Sequence, residues 1–254
     1  MSQSAMSRQT DREIRWLKTL ADYRRCYRRP PRDLRDPEYK KRMEQKVPHD
    51  AGTITSLVMN ASLAATLDES STYVRRFVLS YRRNRNLDLN KLAHEDIVYI
   101  LKETCERLDE MFFFDLLTRR VRDKSPGPKV VLVELNVHES PMNGKYGKFY
   151  PDNDEIHLWL RRRPDETFSF PDLLHTLAHE MVHAYLAIFS DKEHPLYHDE
   201  CDHHNGHGMK FWELLAFILG KIGFFTESEA MFKCIQDVKM DFQAAYKGYC
   251  IDLD

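Results

Sequence analysis

The sequence predicts an α+β fold, in which a small three-stranded sheet packs with helices behind a helical N-terminal extension. Three observations carry this. "KVVLVELNV" (129–137) is a Val- and Leu-rich run of strand type. "GKYGKFYP" (144–151) and "EIHLWL" (155–160) are two shorter strand-like runs around the turn-forming "PDND". Before and after them, apolar residues recur at helical spacing.

Taken in order, "DREIRWLKTLADYRRCY" spaces Ile14, Leu17, Leu20 and Ala21 as a helix does. "RRPPRDLRDPEYKK" breaks it with three prolines. "SLVMNASLAATL" (56–67) and "STYVRRFVLSYRR" (71–83) predict two more helices, the second with a Ser-Ser-Thr start suited to capping. "NRNLDLN" (84–90) reads as a linker, which divides the chain into a basic helical extension, 1–90, and a main domain, 91–254. In that domain a long helix is expected over 94–117, stopped by "SPGP". The three strands follow, then a helix over 170–189 with Pro171 in its first turn. An irregular His-rich loop (191–208), a final apolar helix (209–223) and an acidic tail complete the chain.

Composition narrows the setting. The net charge is -2, so the whole chain lacks a nucleic-acid-binding balance, but the charge is uneven. Residues 8–42 carry 13 Lys/Arg against 6 Asp/Glu, while residues 190–254 carry 6 against 12. The basic end fits a salt-sensitive DNA contact, a nuclear-import patch or a solvated helix face. Five widely spaced cysteines without a CxxC pair fit a reducing compartment. The N-terminus has no apolar signal core, and no apolar run reaches membrane-spanning length. A nuclear or cytoplasmic protein is the expectation, with no membrane partner.

The chemistry lies in "HTLAHEMVHAYL" (175–186). His179 and His183 are one helical turn apart and point the same way, so their imidazoles can share one Zn²⁺. Glu180 sits beside the first of them, where a carboxylate can act as general base on a metal-activated water. Leu174, Leu177, Ala178, Met181, Val182 and Leu186 are available to bury the back of the helix. A catalytic zinc needs a third protein ligand. The metzincin pattern places Gly and His at fixed offsets that here hold Leu186 and Phe189, which excludes that class. His194, His198, His203, His204, His207 and Glu213 remain as candidates. His207 has local arguments: Gly206 and Gly208 permit a tight reversal, and the residue opens a helix.

At this point the chain resembles the SprT-like metalloprotease family. "HEMVHAYL" is similar to the family's active-site helix and "GHGMKF" (206–211) to its Gly-His-Gly-x-x-Phe segment. "LDEMFFFDLL" and "EIHLWLRRRP" resemble the helix end before the sheet and the last strand. The resemblance covers roughly residues 95–225. It implies a compact zincin-type fold and a zinc-dependent endopeptidase with one catalytic ion. His179, His183 and His207 would be its ligands, Glu180 its base, and DNA-associated or DNA-crosslinked proteins its substrates. The chain departs from the family in a longer His-rich loop, in Lys210 where an acidic residue is frequent, and in lacking a paired-cysteine zinc subdomain. Those departures keep a second expectation open, a non-catalytic zinc-containing scaffold associated with nucleic acid.

Several other features have two readings. His175 is a support for His179 or a packed residue. "CDHHNGH" (201–207) holds a second metal, presents Cys201 as an inhibitory thiolate, or is a polar loop. "KYGKFY" is an ordinary strand or an edge that pairs with extended substrate. Tyr197, His198 and His203 are the nearby candidates for stabilising an oxyanion.

Overall fold

The computed structural model describes residues 50–63, 71–118, 120–122, 129–142, 146–164 and 166–245. The predicted first helix and the basic segment 8–42 lie outside them. The fold is α+β, mostly helical, with a small mixed sheet of three strands.

Helix α1 (Ala51–Leu63) buries Ile54 and Val58 completely. Helix α2 (Thr72–Asn84) buries Val74, Phe77, Ser80, Tyr81 and Asn84 along one stripe and turns Arg75, Arg76, Arg82 and Arg83 to solvent. Ser71 occupies its N-cap position, but its side chain makes no capping bond. The Tyr81 hydroxyl donates to Ser228 Oγ at 2.6 Å, tying α2 to the far end of the chain. The boundary expected near residue 90 falls inside one core: α1 and α2 share their buried residues with the elements that follow.

Helix α3 (His94–Leu108) is shorter than its apolar pattern predicts. It passes into a π turn, Asp109–Phe113, and stops where Phe114 and Asp115 take left-handed backbone angles. The cause is Asp109. Its buried carboxylate accepts the N–H groups of Leu116, Leu117 and Thr118 and the Thr118 hydroxyl, a hold that a continuing helix would forbid.

The predicted strand 129–137 is two strands. β1 (Arg120–Arg122) pairs antiparallel with β2 (Lys129–Val131), and the chain then bends at Leu132 and Val133. The Val133 N–H donates to the Leu117 carbonyl at 3.0 Å there. β3 (Glu134–His138) runs parallel to the central strand β5 (Glu155–Trp159), and β4 (Gly147–Tyr150) runs antiparallel to it on the other side. Leu135, Phe149, Ile156, Leu158 and Trp159 are the sheet's buried residues, and β4 and β5 lie against the next helix. A short ribbon, β6 (Arg161–Arg163) with β7 (Glu166–Thr167), leads into that helix.

Helix α4 (Phe170–Phe189) begins with Ser169 and Asp172 capping each other's backbone, and with Pro171 in the first turn. The His-rich segment contains a π turn, His198–Asp202, and one turn of helix, α5 (His203–Gly206). Helix α6 (Met209–Thr226) is apolar on most sides, as a helix through the middle of a core must be. The acidic tail is not a tail: Glu229–Ala245 forms helix α7, which buries Met231, Ile235, Val238 and Phe242 against α6 and α4. Among the described residues no helix is long and apolar enough to cross a membrane.

Candidate metal centre

Helix α4 lies against the sheet, and its middle carries the motif. The backbone of β4 comes so close to it that Gly147 has no room for a side chain. A Cβ there would lie 2.6 Å from Thr176 Cγ2 and 2.8 Å from Glu180 Cγ. A glycine within a strand signals this kind of approach. The contact has a product: the Phe149 N–H donates to Glu180 Oε2 at 2.8 Å. Register explains why that N–H is available. The Trp159 N–H donates to the Tyr146 carbonyl at 3.0 Å, so in the antiparallel alternation the main-chain groups of Lys148 and Tyr150 face β5. Gly147 and Phe149 then turn their main-chain groups to the edge away from β5.

His207 reaches α4 from the loop. Gly206 takes φ of +87°, and a Cβ there would also press His183 Cε1 at 3.4 Å. Gly208 packs on main chain, with 2.2 Å from its would-be Cβ to the Glu200 carbonyl carbon. Its N–H donates to the Cys201 carbonyl at 3.3 Å, and the His207 N–H donates to the His203 carbonyl at 2.7 Å. Both glycines of "GHG" are therefore required, one for backbone angle and one for space.

The three imidazoles converge. The Nε2 atoms of His179 and His183 are 3.2 Å apart, those of His183 and His207 3.2 Å, and those of His179 and His207 3.1 Å. Three nitrogens in such a triangle cannot satisfy one another, because each ring nitrogen either donates or accepts, so at least one edge joins two donors or two acceptors. The edge is close to the roughly 3.3 Å expected between nitrogens bound tetrahedrally at zinc's usual bond length. The donor set therefore fits a tetrahedral ion with its fourth position open.

Phe211 walls the triangle, with ring centroids 4.8, 4.3 and 4.6 Å from His179, His183 and His207. Trp212 covers the outer side of His207 at 5.3 Å. Burial, reinforced by the neighbouring imidazoles, holds His179 well below the ordinary histidine range and His183 down to about 3. Both are thus neutral at pH 7, the form that ligates a metal. Burial pushes Glu180 the other way, up to about 7, against the pull of the Phe149 N–H and of Lys148.

The remaining candidates go elsewhere. Glu213 pairs with Lys210 at 2.7 Å. His194 Nδ1 accepts the Leu196 N–H at 3.4 Å. His198 and His203 join Asp199 in a separate group. The side chain of His204 is outside the described residues. The Cys201 thiol is directed at Ser190 Oγ, 3.6 Å away, and burial pushes it up to about 12. His175 is packed, its ring edge-on to His179 at 6.5 Å and under the charge of Asp237 and Asp241 on α7. Two groupings among the described residues can thus hold a metal ion, the triad and His198–Asp199–His203. Phe211 closes the "GHGMKF" match, but its contact with all three rings has no mark in the sequence; Trp212 looks like ordinary core, and for Gly147 its place inside a strand was the available signal.

No protein-family model matches the chain, and neither the curated proteins nor the solved structures contain a match to it.

Proposed function

We propose that the chain is a zinc-dependent endopeptidase with a zincin-type domain, of the SprT-like kind that its motifs resemble. The observation that carries this is the Nε2 triangle with Glu180 beside it, the carboxylate held by the sheet edge. His179, His183 and His207 would hold the ion. Zinc bound there supplies a Lewis acid that acidifies a water and polarises a peptide carbonyl.

The rest belongs to the chain. Phe149 holds Glu180 Oε2, which leaves Oε1 free to take a proton from water and return it to the leaving amine. A carboxyl with raised proton affinity suits both transfers, since it accepts and releases within reach of neutral pH. The edge of β4 that would pair with an extended peptide is taken up by α4, since Glu180 accepts the Phe149 N–H and Gly147 packs against Thr176 and Glu180. A scaffold that only held the ion would have no use for a buried carboxylate at this point. Proteins bound or crosslinked to DNA are the proposed substrates, supported by the resemblance and by the basic segment 8–42.

The test is Glu180→Gln, which keeps the side chain's shape and removes the base. Zinc content should stay unchanged while cleavage of a DNA-bound protein, assayed with and without DNA, falls by about 10² or more. Undiminished cleavage would reject the assignment.

A further inference from the structure

We infer that His198, Asp199 and His203 form a second divalent-metal site, and that its occupancy braces the segment that delivers His207. The π turn His198–Asp202 is closed by the His203 N–H donating to the His198 carbonyl. An i→i+5 turn of this kind stacks residues five apart, as an α-helix stacks residues four apart. His198 and His203 therefore share a face, with their rings edge to face at 5.4 Å. One ligand nitrogen from each and a carboxylate oxygen of Asp199 all lie within 4.8 Å of one another. The carboxylate of Asp202 is a further acidic neighbour, 3.9 Å from His198 Nδ1. π turns are rare and concentrate at functional sites.

The donor set selects the ion. Two imidazoles and one carboxylate suit Zn²⁺, Co²⁺, Ni²⁺ or Cu²⁺, whereas Mg²⁺ and Ca²⁺ take oxygen ligands throughout. His198 and Asp199 are exposed and His203 is half-buried, so this ion would keep waters and be held less tightly than one in the half-buried triad.

The coupling runs through main chain. The His203 carbonyl accepts the His207 N–H at 2.7 Å, and the Cys201 carbonyl accepts the Gly208 N–H at 3.3 Å. Both carbonyls lie in or next to the turn that the second ion would fasten. Gly206, with its left-handed backbone, is the pivot between that turn and His207. Fixing residues 198–203 removes freedom that binding at the triad must otherwise remove, so the two sites should bind with positive cooperativity.

The experiment uses the full chain, stripped of metal with a chelator and titrated with Co²⁺, reading bound metal per chain by equilibrium dialysis and mass spectrometry. The unmodified protein should bind two equivalents. His198→Gln combined with Asp199→Asn, both at exposed positions, should bind one, and the remaining affinity should fall by about fivefold or more. His207→Ala should lose the triad's equivalent and keep the other. Two equivalents in the double variant, or a single equivalent in the unmodified protein that His207→Ala abolishes, would overturn the site. An unchanged triad affinity in the double variant would overturn the bracing. The count is read without any peptide being cleaved, so a failure of the endopeptidase reading would not be mistaken for a failure of this one.

Discussion

At Phe211 a single ring touches all three converging imidazoles. It contributes no donor, but it fixes where three donors can sit. Groups that only orient metal ligands are worth about 10–100-fold in affinity. Phe211→Ala should therefore weaken zinc binding within that range, measured by competition with a chromogenic chelator, while circular dichroism reports the fold. Retained affinity would mean that the histidines are held by α4 and the loop alone. Gly208 shows the opposite dependence, on having no side chain. Its would-be Cβ meets main chain at 2.2 Å, so Gly208→Ala must displace the Glu200–Cys201 backbone. Overpacking of this kind costs about 1–3 kcal/mol, which denaturant unfolding will resolve. The necessity of "GHG" is legible in the sequence as glycines around a histidine. Which glycine serves angle and which serves space is not, because that depends on the turn it meets.

Among the elements, α3 and α7 show how local pattern and tertiary context divide the work. The apolar period over 94–117 predicts one helix, but Asp109 ends it early by collecting four donors from beyond the turn. Asp109→Ala would leave those donors buried and unsatisfied, a loss of about 1–3 kcal/mol for each that finds no water. Its pH dependence has a definite sign. Burial pushes the Asp109 carboxyl up to about 7, although Thr118 and Leu117 donate to it. A carboxyl raised in the folded state contributes most below its ordinary value near 3.8 and loses that contribution as pH rises to about 7. The stability gap between wild type and Asp109→Ala should therefore narrow from pH 4 to pH 7 and level off above, measured by urea unfolding across that range. A gap that widens with pH would contradict the burial argument. Helix α7 is a different case, since its apolar residues, Met231, Ile235, Val238 and Phe242, already have helical spacing. Its acidic charge drew attention away from a pattern that was present.

For the whole molecule the decisive fact is a shared core. The sequence places a linker at 84–90, yet Ile54, Val58, Val74, Phe77 and Tyr81 pack into the same cluster as Tyr185, Phe189 and Leu219. Burying each such side chain contributes about 1.5–3 kcal/mol. Losing five of them is comparable with the roughly 5–15 kcal/mol net stability of an ordinary domain. A chain beginning at residue 91 should fail to unfold cooperatively, and one beginning at residue 50 should do so, measured by differential scanning calorimetry. A cooperative transition in the shorter chain would restore the boundary at residue 90.

The sequence by itself determined which side chains share one face of α4 and the broad class of the fold. Side chains four residues apart on α4 are neighbours whatever surrounds them, so His179, Glu180 and His183 could be read as a unit. Strand-type and helical periods likewise belong to short windows. Flanking glycines and the resemblance favoured His207 among the six candidates, but only the tertiary structure brings it to His179 and His183, because a position 24 residues away is brought close by a turn and not by spacing. It alone decided that a main-chain N–H of β4 holds Glu180, since a backbone donor leaves no mark on residue type. Local period is written in the sequence, whereas contact at a distance is set by how the buried surfaces pack.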